Sequence, residues 1–188
     1  MTIRPITMIG HRALEQRTRK VREVTDDIRT LVADMIETND AADGAGLAAP
    51  QVGARWRLFV YACEDATGTL RRGVVINPVL TRLGPLELDE GTIEGCLSVP
   101  GEGYPTARHR GARVTGTDLE GEPVEVEDTG GVLARALQHE VDHLEGSLYL
   151  DRLSPARRRE ALDAVTARGW RARGVLSWDP SRLTADRV

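Results

Sequence analysis

The sequence is short of aromatics, of cysteine and of long apolar runs, and each shortage excludes a class of protein. Phe, Tyr and Trp together make up 4% of the 188 residues, so a core has to be built from Val, Leu, Ile and Ala. Two cysteines, Cys63 and Cys96, cannot make a disulfide framework. In a reducing compartment a lone cysteine is a buried apolar residue, a catalytic group or a metal ligand. No uncharged apolar stretch approaches the length of a membrane span. Met1 to Arg12 lacks the apolar core of a secretory signal and the long Arg- and Ser-rich character of a transit peptide, which makes the cytoplasm the expected location. A basic excess is missing too: the net charge of −4 speaks against a nucleic-acid partner. What remains, 40% hydrophobic and 29% charged without repeats or a composition break, is a globular chain of one-domain size over residues 1–188.

Residues 1 to 24 are polar and mixed and read as an extended lead-in. Ile28, Leu31, Val32, Met35 and Ile36 then follow helical spacing, with Thr25 or Asp26 as cap and an end between Asn39 and Asp43. Next comes a small-residue loop, Gly44-Ala45-Gly46-Leu47-Ala48-Ala49-Pro50-Gln51, in which glycines let backbone approach something closely. Leu58 to Ala62 and Val74 to Asn77 read as strands, the second interrupted or bounded by Pro78. Leu86 to Leu88 begins an alternating stretch that runs into Glu94-Gly95-Cys96-Leu97-Ser98, and residues 99 to 108 are a loop by composition. Arg113 to Leu119 and Pro123 to Glu127 form a hairpin around Glu120-Gly121.

After Gly130-Gly131 comes the stretch with the most chemistry, Gln138-His139-Glu140-Val141-Asp142-His143-Leu144-Glu145-Gly146. On a helix the two imidazoles share one face, one turn apart, and can hold a single metal ion while Glu140 reaches a water on it. Val132, Leu133, Ala136, Leu137, Val141 and Leu144 surround most of this helix with apolar side chains, so it is buried, and Gly146 is placed to end it. A catalytic site wants a third ligand. The candidates are Cys96, His11, His109 or a carboxylate such as Glu160; Cys96, in a Gly-flanked turn, is the most attractive, while Cys63 reads as a small buried apolar residue. Ser154-Pro155 starts another helix, with Ala161, Leu162 and Val165 inward and Arg157 to Arg159 solvated. From Gly169 a tail follows that carries Trp170 and Trp178 but little periodicity.

The segments Gly44–Gln51, Glu94–Ser98 and Gln138–Gly146 resemble the three signature motifs of the peptide deformylases, in the family's order and at compatible separations, and the resemblance covers roughly residues 5 to 165. It implies an α+β fold with antiparallel sheets packed around a central metal-binding helix. Cys96, His139 and His143 would bind one divalent ion, in this family usually Fe2+, with Zn2+, Ni2+ or Co2+ also able to occupy the site. Glu140 would be the general base and acid, Gln51 and the Leu97 N–H the oxyanion donors, and Gly46 would let the main chain lie along the substrate. The substrate would be an N-formyl-methionyl nascent chain, the products formate and a free amino terminus, and transient association with the ribosome follows from that role. Some members carry an arginine in the loop matching Gly101-Glu102-Gly103-Tyr104; here there is none, so no substrate contact is assigned to it. Two other classes stay in view. A zinc endopeptidase using the same helix lacks a convincing downstream ligand, and a purely structural metal site would not need Glu140 or Gln51.

Overall fold

The computed structural model describes residues 2–170, 174 and 176–182; Met1 and the tail positions 171–173, 175 and 183–188 lie outside them. The lead-in is more ordered than its polar composition predicts. Ile6–Thr7 is a short strand, β1, and Arg12–Glu15 a 3₁₀ turn capped by His11, whose Nδ1 accepts the Ala13 N–H at 3.1 Å. Ile6, Met8, Ile9, Ala13 and Leu14 are buried, although their spacing follows no period.

Helix α1, Asp26–Ala41, starts where the acidic pair and Thr25 place it, the threonine hydroxyl accepting the Ile28 N–H at 3.4 Å. Ile28, Leu31, Val32 and Met35 are buried as expected, but Ile36 sits at the edge of the stripe, 36% exposed. The small-residue loop contains β2, Gly46–Ala48, followed by a 3₁₀ turn at Ala49–Val52. Strand β3, Leu58–Glu64, is apolar at nearly every position because both faces are covered. Strand β4, Leu70–Glu87, runs straight through Pro78. Proline does not bound the strand there: the register shifts between Ile76 and Val79, so the missing N–H falls in a bulge. Asn77 takes φ +53° at that point and is tied to Val21, accepting its N–H at 2.9 Å and donating to its carbonyl at 2.8 Å.

Leu86–Leu88 does not continue into the cysteine segment. A turn held by Asp89 intervenes, its carboxylate accepting the Gly91 N–H at 2.9 Å and the Thr92 hydroxyl at 2.5 Å. Strand β5, Ile93–Gly95, then pairs with β6, Gly103–Pro105, so the expected loop at 99–108 holds a strand in its middle. Strands β7, Arg108–Thr117, and β8, Pro123–Asp128, make the expected hairpin, with Asp118 accepting the N–H groups of Glu120 and Glu122 at the turn. Helix α2, Val132–Leu144, follows, and helix α3, Pro155–Ala167, is capped by Ser154. In α3 Ala161 and Val165 face inward, while Arg157 and Arg158 make ion pairs at the surface with Glu90 and Asp151. In the described tail, β9, Ser177–Trp178, runs antiparallel to β1 and is followed by a 3₁₀ turn at Pro180–Arg182.

The main sheet is antiparallel in the order β2-β3-β4-β7-β8. Phe59, Val75, Val114 and Val126 meet Leu133, Leu137, Val141 and Leu144 of α2, while Leu58, Val60 and Ile76 meet Ile28, Leu31, Val32 and Met35 of α1. Full burial of each such side chain contributes about 1.5–3 kcal/mol, so α2 is held by many contacts and its histidines are set rigidly. This is the expected α+β arrangement around a central helix. Among the described residues, no helix is long and apolar enough to cross a membrane.

Candidate active site

Three elements meet at one end of α2. Helical spacing places His139 and His143 one turn apart, their rings meeting edge to face with centroids 4.8 Å apart. Cys96 leaves β5 directly opposite: its sulfur is 3.3 Å from His143 Nε2, which is 3.1 Å from His139 Nε2. The ligand atoms of Cys96, His139 and His143 all lie within 4.8 Å of one another. A thiolate and two imidazole nitrogens so placed suit a borderline divalent ion. The other third-ligand candidates are elsewhere: His11 caps its turn, His109 contacts the Gly84 carbonyl, and Glu160 is exposed on α3.

Glu140 is 3% exposed and its Oε2 has no hydrogen-bond partner among the described residues. Burial pushes its carboxyl up to about 7, with His139 opposing and Glu94 adding to the rise. A buried, orphaned carboxylate oxygen beside three converging ligand atoms is what a metal and its water would complete. Burial also pushes His143 well below its ordinary value, helped by His139 and Arg108, which keeps its ring neutral and fit to ligate. For His139 burial acts in the same direction but is outweighed by Cys96 and Glu94, and the net shift is upward.

Gln51 is fixed by its own loop, its Oε1 accepting the Ala48 N–H at 2.7 Å. Its Nε2 is thereby aimed at the Cys96 sulfur, 3.8 Å away, and at the Ser98 hydroxyl, 3.3 Å away. Gly46 lies on β2 against Glu140: a Cβ there would meet Glu140 Oε1 at 2.7 Å. A cleft of about 960 Å³ opens over these groups, lined in part by Gly46, Gln51, Leu97, Glu140, Trp170 and Trp178.

Sequence reasoning assigned no role to the charges behind the histidines. Glu94 Oε1 bonds His139 Nδ1 at 2.7 Å and fixes the ring. Arg108, 3% exposed, donates to Glu94 at 2.9 and 2.5 Å and to Asp142 at 2.5 Å, and Asp142 in turn accepts from Arg152. Burial pushes Glu94 up, but the Arg108 and His139 bonds prevail and bring its carboxyl down to about 2, so it stays ionised. Glu94 and Asp142 stand inside two of the motifs, which was their only signal; Arg108 stands in none.

A Cys-His-His triad that could hold a metal, two of its members on α2 and the third after β5, beside a buried glutamate and under an open cleft, has the make-up of a metal-dependent hydrolase. Comparison with known proteins narrows the class. The polypeptide deformylase family profile matches residues 3–159. The chain is 47% identical over 184 residues to peptide deformylase 2 of Corynebacterium efficiens, covering 96% of this chain and 94% of that one. It is 50% identical to the peptide deformylase of Mycobacterium marinum, covering 96% and 95%. Among solved structures, the Thermus thermophilus peptide deformylase superposes with a TM-score of 0.74 at 40% identity, over 88% of this chain and 94% of that one. The Ehrlichia chaffeensis enzyme, crystallised with actinonin, gives 0.78 at 33% identity, over 89% and 98%. The chain belongs to the polypeptide deformylase family.

Proposed function

We propose that this chain, acting as one deformylase domain, removes the formyl group from the N-terminal formyl-methionine of newly made polypeptides and releases formate. The observation that carries the reading is the convergence of Cys96, His139 and His143 beside Glu140 and its unpartnered oxygen. These three residues would hold one divalent ion, which when bound supplies Lewis acidity toward water and the formyl oxygen. The donor set tolerates several borderline divalent ions; Fe2+, the ion that the family resemblance implies, is the one proposed, with Zn2+, Ni2+ or Co2+ also accommodated.

Glu140 is the proton carrier. Buried beside the three ligand atoms, it takes a proton from the attacking water and returns it to the leaving amine as the formyl C–N bond breaks. The Gln51 amide, oriented through Ala48, and the backbone N–H of Leu97 donate to the oxyanion that develops on the formyl oxygen. Gly46, on the strand that borders the cleft, lets the peptide main chain run close to Glu140. The cytoplasm is the proposed setting, in keeping with two unpaired cysteines, and transient association with the ribosome follows from a nascent-chain substrate.

The test is formate release from a formyl-Met tripeptide by anaerobically iron-loaded protein, with Glu140→Ala beside it. Release by the parent and a fall of at least about a hundredfold in the variant, with metal retained, is the expected result. A folded, metal-loaded parent that releases no formate refutes the assignment.

A further inference from the structure

Trp178 has no part in the chemistry described above, yet it is bonded to the loop that carries Cys96. Two segments far apart in the chain meet as β1 and β9, with Ile6 opposite Trp178, Thr7 opposite Ser177, and the Met8 N–H bonded to the Leu176 carbonyl at 2.9 Å. This clasp grips the cysteine loop at two points. The Ile9 N–H donates to the Ser98 carbonyl at 2.9 Å, and the Trp178 indole N–H donates to the Leu97 carbonyl at 2.7 Å. The Leu97 carbonyl shares its peptide unit with the Ser98 N–H, and that N–H donates to the Cys96 sulfur at 3.4 Å. Ser98 is fully buried, and its hydroxyl also receives the Gln51 amide at 3.3 Å.

We propose that Trp178 is a positioning residue for the reaction. Its indole N–H orients and polarises the Leu97–Ser98 peptide, and through it the hydrogen bond that Ser98 gives to the Cys96 sulfur. Hydrogen bonds in series strengthen one another, because each donor pulls electron density through the peptide it binds. Donors to a ligand atom tune the metal centre that the ligand serves. The same contact anchors Leu97, whose own N–H, in the preceding peptide, is the assigned oxyanion donor, so loosening the anchor also blurs the oxyanion site. The inference rests on the deformylase reading for its catalytic half; the contact with the thiolate stands independently of the substrate.

The test compares full-length Trp178→Phe, which keeps a ring and removes the N–H, with Trp170→Phe. Trp170 borders the same cleft, but its indole N–H has no partner among the described residues. Two readouts are taken. The first is the sulfur-to-cobalt charge-transfer band of the cobalt(II)-loaded proteins without substrate, and the second is formate release by the iron-loaded ones. In Trp178→Phe the band is expected at longer wavelength, since a sulfur that loses a polarised donor holds its electrons less tightly; in Trp170→Phe it stays in place. The kcat of Trp178→Phe falls about tenfold while KM moves by less than about twofold. Should the phenylalanine variant fail to fold, β-(3-benzothienyl)alanine at position 178, with sulfur in place of the N–H, carries the same readouts. An unshifted band, an equal shift in both tryptophan variants, or an unchanged kcat overturns the role given to Trp178. A parent that releases no formate overturns the deformylase reading instead, and the cobalt band still judges the contact.

Discussion

Replacing Gly46 by alanine adds one methyl group at a crowded point of the site. The new Cβ would lie 2.7 Å from Glu140 Oε1, 2.9 Å from Cγ and 3.0 Å from Cδ. Carbon contacts settle at about 3.5–4.0 Å, so something must yield by about 0.5–1 Å. Glu140 cannot swing into solvent, being 3% exposed. Either its carboxyl is pushed off its position or strand β2 moves away, and the kinetics separate the two. Displacing a catalytic group by about 1 Å costs on the order of a hundredfold, or about 2.7 kcal/mol of barrier. A displaced Glu140 therefore lowers kcat with little change in KM, whereas a displaced β2, which borders the cleft, raises KM. Formate release across a range of formyl-Met tripeptide concentrations reads both, with metal content and thermal unfolding as controls. A Gly46→Ala enzyme within about threefold of the parent in both constants would refute the claim that this glycine makes room for Glu140.

Arg108→Met leaves Glu94 and Asp142 without their shared cation, and breaking a buried pair in this way costs about 3–5 kcal/mol. Chemical denaturation measures the loss, and metal affinity should fall by about ten- to a hundredfold as Glu94 ceases to fix His139; parent-like values in both assays would contradict the network's role. Asp34 on α1 supplies a pH-dependent contribution. Burial pushes its carboxyl up, but bonds from Arg4 and the Thr2 N–H outweigh that and leave it below the ordinary 3.8. Its stabilisation is therefore fully present above about pH 4 and is lost as pH falls through the lower folded value. Asp34→Asn should be less stable than the parent by about 1–3 kcal/mol near neutrality, with the gap closing in acid; a gap independent of pH would show that the carboxylate's charge is not what matters.

The sequence made the parts with a period or a spacing legible. The four-residue spacing of His139 and His143, the stripe of α1 and the hairpin of β7 and β8 follow from local geometry alone, and they appear where expected. What it did not show depends on residues far apart in the chain. A two-residue strand has no periodicity, so the pairing of Ile6 with Trp178 leaves no trace in the sequence, where the segment reads only as an extended lead-in. Of the two readings of Pro78, interruption holds and a boundary does not: a proline's missing N–H disqualifies a regular ladder position, while a bulge places it where no bond is needed and lets the strand continue. Arg108 carries no local signal at all. Its burial makes sense only once Glu94 and Asp142, from two different motifs, are brought to either side of it.

That last point explains why the three motifs belong together. Each supplies polar groups that would be costly to bury alone and that another motif satisfies. Gln51 needs Ser98 and Cys96 for its amide; His139 needs Glu94 for its second nitrogen; Glu140 needs the empty side-chain position of Gly46. A metal could be held by Cys96, His139 and His143 without Gln51 or Gly46. The interlocking therefore reaches beyond ligation to the groups that carry protons and hydrogen bonds, and this separates a hydrolase from a structural metal site built on the same helix.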